Sequence, residues 1–157
     1  MTAAKPSGAS GRPSGAALGV PKLRASQLQV GDVREAVLVE NLTRTQIVMY
    51  AGASGDFNPI HHDETFATQA AGYPSVFAHG MLTMGMTARL LTDWLGDGVL
   101  TEYGVRFVKQ VWPGDSLTAK GTVTAVGDDG SVSIEVVTTT QKGEPVVAGS
   151  AKAVLPR

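Results

Sequence analysis

Residues 78–96, AHGMLTMGMTARLLTDWLG, constrain the fold more than any other part of this sequence. A stripe of apolar side chains at three- and four-residue spacing runs along the segment, formed by Met81, Met84, Ala88, Leu91 and Leu95. Further apolar side chains lie on its other faces, at Leu82, Met86, Leu90 and Trp94. A helix that is apolar around most of its circumference has to be buried on most sides. We therefore expect one long central helix covered by other elements.

Strand-like segments account for most of the remaining pattern. A valine-rich strand is predicted at residues 33–39, and alternating side chains predict four more strands after the helix, at residues 103–111, 117–126, 132–140 and 146–155. Residues 127–130 (GDDG) and 142–145 (KGEP) are typical of hairpin turns. This order predicts an α+β domain in which a curled antiparallel sheet wraps around the long helix.

Two shorter helices are predicted between the first strand and the long helix. Thr43 is a good N-cap with Gln46 three residues later, the reciprocal arrangement of a capping box, and Gly52 and Gly55 end the helix that follows. Asp63 is placed to cap a second helix, over residues 64–71. The polar stretch between them is therefore expected to be a loop.

The first 26 residues have a different composition from the rest. They are mostly Ala, Gly, Ser and Pro and show no helical or strand periodicity, which predicts a disordered tail. Its basic residues could touch an acidic partner, but a solvated leader without a fixed partner is the simpler interpretation. Residues 27–157 have the length of one ordinary domain with a single core.

Composition excludes several classes of protein. Thirteen Lys and Arg residues against 14 acidic residues leave no basic field for a nucleic acid. The absence of Cys removes disulfides and thiolate sites and fits a reducing compartment. No apolar run reaches the roughly 18 to 20 residues that span a bilayer, so we expect a cytoplasmic protein without a membrane partner.

Residues 54–64, SGDFNPIHHDE, are the first candidate for chemistry. Adjacent histidines in an extended segment point to opposite sides, which disfavours a shared metal, although Asp56, His61 and Asp63 could still form a ligand set. Asn58-Pro59 makes a stiff spacer between Asp56 and His61, and a carboxylate held near an imidazole suits general acid/base catalysis. A hydrogen-bonded turn without chemistry is the third possibility. His62 is interpreted as a solvated or capping residue.

A second candidate element comes immediately before the long helix, at Ala78-His79-Gly80. The N–H of Gly80 is expected at the helix N-terminus, where unpaired donors and the helix dipole favour negative charge. A carbonyl oxygen that becomes enolate-like would be stabilised there, as in an oxyanion hole. His79 lies among small and apolar residues, so we expect a buried, hydrogen-bonded structural histidine.

Residues 50–67, YAGASGDFNPIHHDETFA, followed by residues 77–85, FAHGMLTMG, resemble the hydratase motif of MaoC-like, (R)-specific enoyl-thioester hydratases and dehydratases, which adopt the hot-dog fold. Residues 94–115 are also similar to this group, and especially to the catalytic B subunit of the mycobacterial (3R)-hydroxyacyl-ACP dehydratase. The resemblance covers residues 28–156. It implies a hydro-lyase of fatty-acid metabolism that adds water to trans-2-enoyl thioesters, or removes it from (3R)-hydroxyacyl thioesters, carried on CoA or ACP.

The resemblance also implies roles for individual residues. Asp56 and His61 would be the catalytic pair, whereas Asn58, Ala78 and Gly80 would contact the substrate or water, with Gly80 binding the thioester carbonyl. No metal or cofactor is implied. Some members carry a serine on the central helix that helps to hold the catalytic residues, and the nearest position here is Ala88.

Alternatives and partners remain open from the sequence. A non-catalytic hot-dog subunit that binds acyl chains or stabilises a partner should lack the pair, and a thioesterase on this fold would need a catalytic carboxylate on another helix. One such domain exposes the edges of its sheet, so we expect a homodimer or a heterodimer with a related subunit. Tyr73, Phe77 and the helix methionines are candidates to line an acyl tunnel.

Overall fold

The computed structural model describes residues 20–157. The strands are β1 (Val20–Pro21), β2 (Val33–Val39), β3 (Gly96–Asp97), β4 (Leu100–Phe107), β5 (Leu117–Val126), β6 (Ser131–Thr140) and β7 (Pro145–Val154). The two α-helices are α1 (Arg44–Ser54) and α2 (Gly80–Leu95). The predicted strand bounds are therefore correct to within a few residues, because alternation and turn residues define them clearly.

The five longer strands form one antiparallel sheet in the order β2-β5-β6-β7-β4. Helix α2 lies across the sheet and contacts β2, β4, β5 and β7. Gly121 in β5 permits this close crossing, since a Cβ there would lie 3.3 Å from the Trp94 ring and 3.5 Å from Leu90. This arrangement confirms the predicted α+β hot-dog fold.

The face that α2 turns to the core differs from the predicted stripe. Its buried residues are Thr83, Thr87, Leu90, Leu91 and Leu95. Met81, placed in the stripe from the sequence, is 55% exposed. Thr87 can be buried because its hydroxyl donates to the Thr83 carbonyl at 2.9 Å and lies 2.7 Å from the Thr138 hydroxyl on β6. The sequence prediction of the buried stripe was wrong at its N-terminal half for this reason.

The short helices follow their predicted caps. Thr43 and Gln46 form the capping box of α1, and Gly55 ends the helix in the left-handed conformation with φ 76°. Asp63 caps the second helical segment by accepting a hydrogen bond from Phe66 N–H at 3.0 Å. That segment contains five π-helical residues, Phe66–Ala70, instead of a regular α-helix.

Residues 1–19, most of the predicted tail, lie outside the described residues. Residues 20–26, the end of that predicted tail, are packed against the domain. Val20 pairs with Asp97 in the two-stranded sheet of β1 and β3, and Ala25 is buried in the core. Two-residue strands carry no periodicity, so the sequence could not predict this pairing.

No helix within residues 20–157 is both long enough and apolar enough to cross a membrane.

Candidate active site

The segment from Phe77 to Gly80, here called the 77–80 strip, organises the candidate site. The strip is fixed to the domain on both sides: Phe77 N–H donates to Ile60 O at 3.4 Å, and Ala78 N–H donates to Val111 O at 2.8 Å. Gly80 is the first residue of α2. Its N–H therefore has no acceptor within the helix, and it lies at the positive end of the helix dipole.

His61 is a buried side chain at the end of the 3₁₀ turn Pro59–His61. Its Nδ1 lies 2.7 Å from the carbonyl oxygen of Phe77. Because a carbonyl only accepts hydrogen bonds, Nδ1 carries the proton and Nε2 is the bare nitrogen. His61 is thus held in the tautomer that a general base requires.

The surroundings of His61 favour its neutral form. Burial lowers the pKa of His61 below its ordinary value of 6.5 and is the largest influence. The hydrogen bond to Phe77 and the charge of Asp56 oppose this by raising the pKa, whereas the neighbouring His79 and His62 lower it further. A neutral imidazole at physiological pH can accept a proton from water.

Asp56 lies in the exposed segment Gly55–Asn58, here called the 55–58 loop. Its Oδ1 accepts a hydrogen bond from Asn58 N–H at 3.2 Å, and the Oδ1 of Asn58 accepts one from Ile60 N–H at 3.2 Å. Asn58 thereby caps the turn that carries His61, with Pro59 at its first position. The motif residues thus brace one another locally, as expected of a stiff spacer.

His79 contacts both the 55–58 loop and the turn that carries His61. Its ring stacks on the His61 ring, with centroids 3.8 Å apart and an interplanar angle of 28°. Its Nε2 lies 2.9 Å from the backbone carbonyl oxygen of Asp56, so Nε2–H is the donor. His79 is 2% exposed, which confirms the expectation of a buried, hydrogen-bonded histidine.

Possible metal-ligand atoms of Asp56, His61 and His79 lie within 4.8 Å of one another. The group differs from the set suggested by the sequence, because His79 takes the place of Asp63, which caps the π-helical segment. The donor types suit a transition metal. However, the lone pair of an imidazole nitrogen lies in the plane of its ring, and two rings stacked at 28° direct their lone pairs side by side instead of toward one point. This geometry favours proton transfer over metal binding.

A cavity of about 270 Å³ opens next to Gly80. Ala78, Gly80 and Thr83 form one side, and residues 107–111 together with Val146 and Val147 form the other. The ring of Phe107 lies against Gly80, since a Cβ built on Gly80 would be 3.1 Å from three of its ring atoms. Glycine at this position therefore leaves room for a protein aromatic ring.

Residues 26–145 match the family described as the MaoC like domain. The chain belongs to the MaoC-like family. A relative from Aeromonas caviae, named as an (R)-specific enoyl-CoA hydratase, is 33% identical over 139 residues that cover 85% of this chain and 100% of that protein. A 3-hydroxyacyl-thioester dehydratase Y from Mycobacterium tuberculosis is 43% identical over 79 residues, 48% of this chain. That match spans only 27% of the longer relative.

Solved structures of MaoC-like proteins are similar throughout the domain. R-hydratase PhaJ1 from Pseudomonas aeruginosa has a TM-score of 0.78 at 26% identity, over 88% of this chain and 89% of that chain. A chain of the ChsH1-ChsH2 complex from Mycobacterium tuberculosis has a TM-score of 0.71 at 29% identity, over 81% and 98%. The finer resemblance to a dehydratase B subunit stays a prediction.

The structure separates the polar residues of the MaoC-like motif. Asp56, Asn58 and His61 are brought together with the 77–80 strip, whereas His62 is exposed and donates from Nε2 to Phe57 O at 3.0 Å. The N–H of Ala78 is used by Val111, so this residue can contribute a wall of the cavity but not a free donor.

The helix position at which some MaoC-like members have serine lies in the middle of α2. Ala88 lies eight residues beyond Gly80, or about 12 Å along a helix. Thr87, its neighbour, is turned toward Thr138 in the core. Neither residue supplies a contact to Asp56 or His61.

Two contributions to the site were missed by sequence reasoning. The carbonyl of Phe77 fixes the tautomer of His61, but a backbone acceptor has no sequence pattern of its own. Phe107 covers Gly80, although its position in an alternating strand indicated only a sheet residue. The contacts among the aromatic rings could not be predicted either: Phe77 makes edge contacts with Tyr73 and Trp112.

Proposed function

We propose that this chain catalyses the reversible hydration of trans-2-enoyl thioesters, and in the other direction the dehydration of (3R)-hydroxyacyl thioesters. The observation that carries the proposal is the tautomer of His61: Nδ1–H donates to Phe77 and leaves Nε2 as the bare nitrogen of an imidazole that lies close to Asp56. Relatives named as (R)-specific enoyl-CoA hydratases support the reaction class and its stereochemistry.

In hydration, Asp56 and His61 would orient and deprotonate a water molecule whose oxygen bonds to Cβ. The π electrons of the enoyl group move toward the thioester carbonyl, and a proton from the pair is then delivered to Cα. The net change is the addition of one water, and the pair returns to its starting protonation state. General acid/base catalysis of this kind contributes about 10² to 10⁴-fold to a rate.

Negative charge develops on the thioester oxygen during this reaction. The Gly80 N–H is the proposed donor to that oxygen, because it is the free first amide of α2 and borders the cavity. Asn58 is proposed to hold the Asp56 carboxylate at a fixed distance from the turn that carries His61. Ala78 would form the wall against which the thioester lies.

The carrier, CoA or ACP, and a role in cytoplasmic fatty-acid metabolism also belong to this proposal. We further propose that the chain works as a dimer, with itself or with a related hot-dog subunit. Strands β2 and β4 are the two edges of the five-stranded sheet and can pair with another chain. The structure of the ChsH1-ChsH2 complex, whose name gives two different components, is a precedent for the heterodimer.

A direct assay tests the proposed reaction. Purified protein is mixed with crotonyl-CoA and with longer 2-enoyl-CoA thioesters, and the conjugated enoyl absorbance should decline as the 3-hydroxyacyl product forms. Asp56→Asn should reduce kcat by about 10²-fold or more, because the amide cannot serve as the acid/base partner. Retention of full activity in that variant would overturn the mechanism.

Product analysis distinguishes the alternatives. Release of free CoA would identify a thioesterase instead. Absence of turnover with every chain length, alone and with a partner subunit, would favour the non-catalytic subunit.

A further inference from the structure

The 55–58 loop has few ties to the rest of the domain. Within the described residues, its hydrogen bonds run to neighbours at most five positions away, with one exception. The exception is the bond from His79 Nε2–H to the backbone carbonyl of Asp56, which spans 23 positions. The position of Asp56 relative to the domain therefore depends on His79.

The same side chain also supports His61. The two imidazole rings are stacked, and Tyr50 lies against His79 with ring centroids 5.0 Å apart. His79 is thus enclosed between the end of α1 and the turn that carries His61. Since His79 immediately precedes Gly80, one residue links the proposed acid/base pair to the proposed oxyanion donor.

The buried Nδ1 of His79 argues against a purely packing role. It is fully enclosed and receives no hydrogen bond from any described residue. A bare nitrogen without a donor carries a desolvation cost that an apolar ring of the same shape would avoid. Buried polar atoms are rarely left in this state, so this nitrogen calls for an explanation.

We propose that His79 is a positioning residue of the catalytic pair: its Nε2–H holds the Asp56 backbone in place beside the imidazole of His61. This inference rests on the proposed hydratase function. Three groups with charge or the capacity for charge face His61, namely Asp56, His62 and His79, in addition to the Phe77 carbonyl. As a second imidazole, His79 also helps to keep the pKa of His61 low.

Three variants separate the donor from the ring. His79→Gln keeps an N–H at about the reach of Nε2, so it should hold the Asp56 carbonyl. His79→Asn is too short to do so, and His79→Phe keeps the ring without a donor. We expect kcat for crotonyl-CoA hydration to fall by about tenfold or more in the Asn and Phe variants with KM little changed, and to recover largely in the Gln variant.

The NMR signals of the His61 ring provide a readout that does not depend on turnover. The His61 ring is stacked on His79, so its signals should shift in all three variants, while only the Asn and Phe variants lose rate. Thermal unfolding establishes that each variant is folded; if the Asn variant is not, the comparison of Phe with Gln decides.

Two results would overturn the inference: wild-type kcat in both variants that lack the donor, or equal loss in folded His79→Gln and His79→Phe. Failure of the proposed function is distinct from either result, since it would appear as an inactive wild-type protein. In that case the NMR comparison still tests the contact, and unchanged signals of the His61 ring in all three variants would count against it.

Discussion

The 77–80 strip and the 55–58 loop each carry part of the candidate site, but they are built differently. The strip is largely buried, hydrogen-bonded to two other segments and continuous with α2. The loop is exposed and is braced mainly by its own neighbours. The difference indicates that the base is fixed by the core of the domain, whereas the carboxylate is held by local turn chemistry and by one long-range bond.

His61→Asn tests the half of the site that is anchored by the strip. Asparagine can still donate from its amide nitrogen to the Phe77 carbonyl, but it has no bare imidazole nitrogen. We expect kcat to fall by about 10² to 10⁴-fold while the fold is retained. The measurement is the initial rate of enoyl-CoA hydration, with His62→Asn as the control at the exposed neighbouring position. A comparable loss in both variants would contradict the division between the strip and the loop.

Gly80→Ala tests how tightly the strip is packed. The added methyl group would lie 3.1 Å from the Phe107 ring, so either the ring or the start of α2 has to move. Displacement of the amide should lower kcat by about tenfold, less than the ~10²-fold attributed to a full 1 Å misplacement. The double variant Gly80→Ala/Phe107→Leu relieves the contact and should regain activity. Failure of this rescue, with Phe107→Leu alone active, would show that the glycine is required for another reason.

The pH dependence tests the environment of His61. Because its pKa is lowered, the acid limb of the kcat/KM profile should lie below pH 6.5. The same shift affects stability: below pH 6.5 the unfolded chain binds more protons than the folded one, so the free energy of unfolding should decrease as the pH falls from 7. Urea denaturation at several pH values measures this decrease. An acid limb above pH 6.5 would argue against His61 as a buried neutral base.

Thr43→Ala tests whether the stability of α1 affects the position of the 55–58 loop. Removal of the N-cap should destabilise α1, which leads into the 55–58 loop, by about 1 kcal/mol. If the loop is held by its own turn and by His79, kcat should change little. The readouts are the denaturation midpoint and the hydration rate, and Thr45→Ala, within α1, is the matched control. A large loss of kcat would mean that α1 positions Asp56 after all.

The sequence predicted the parts of this molecule that follow local rules. Strand alternation, the capping box at Thr43 and Gln46, and the closeness of Asp56 to His61 were all evident from the sequence. The buried face of α2 was not, because hydropathy favoured methionines over threonines, and the hydroxyl of Thr87 finds its partner in Thr138 on a distant strand. The Phe77 carbonyl and the stacking of His79 on His61 depend on chain crossings between distant segments, which no local pattern records.

The hydroxyl pair of Thr87 and Thr138 has a consequence for the site at the N-terminus of α2. Apolar side chains could slide past each other along the sheet at small cost, but two hydroxyls that meet at 2.7 Å in the core define a single alignment of α2 on β6. Gly80 begins the same rigid helix, seven residues away. The hydrogen bond between Thr87 and Thr138 therefore fixes the position of α2 on the sheet. Through the helix it also fixes the position at which the Gly80 amide can contact a substrate.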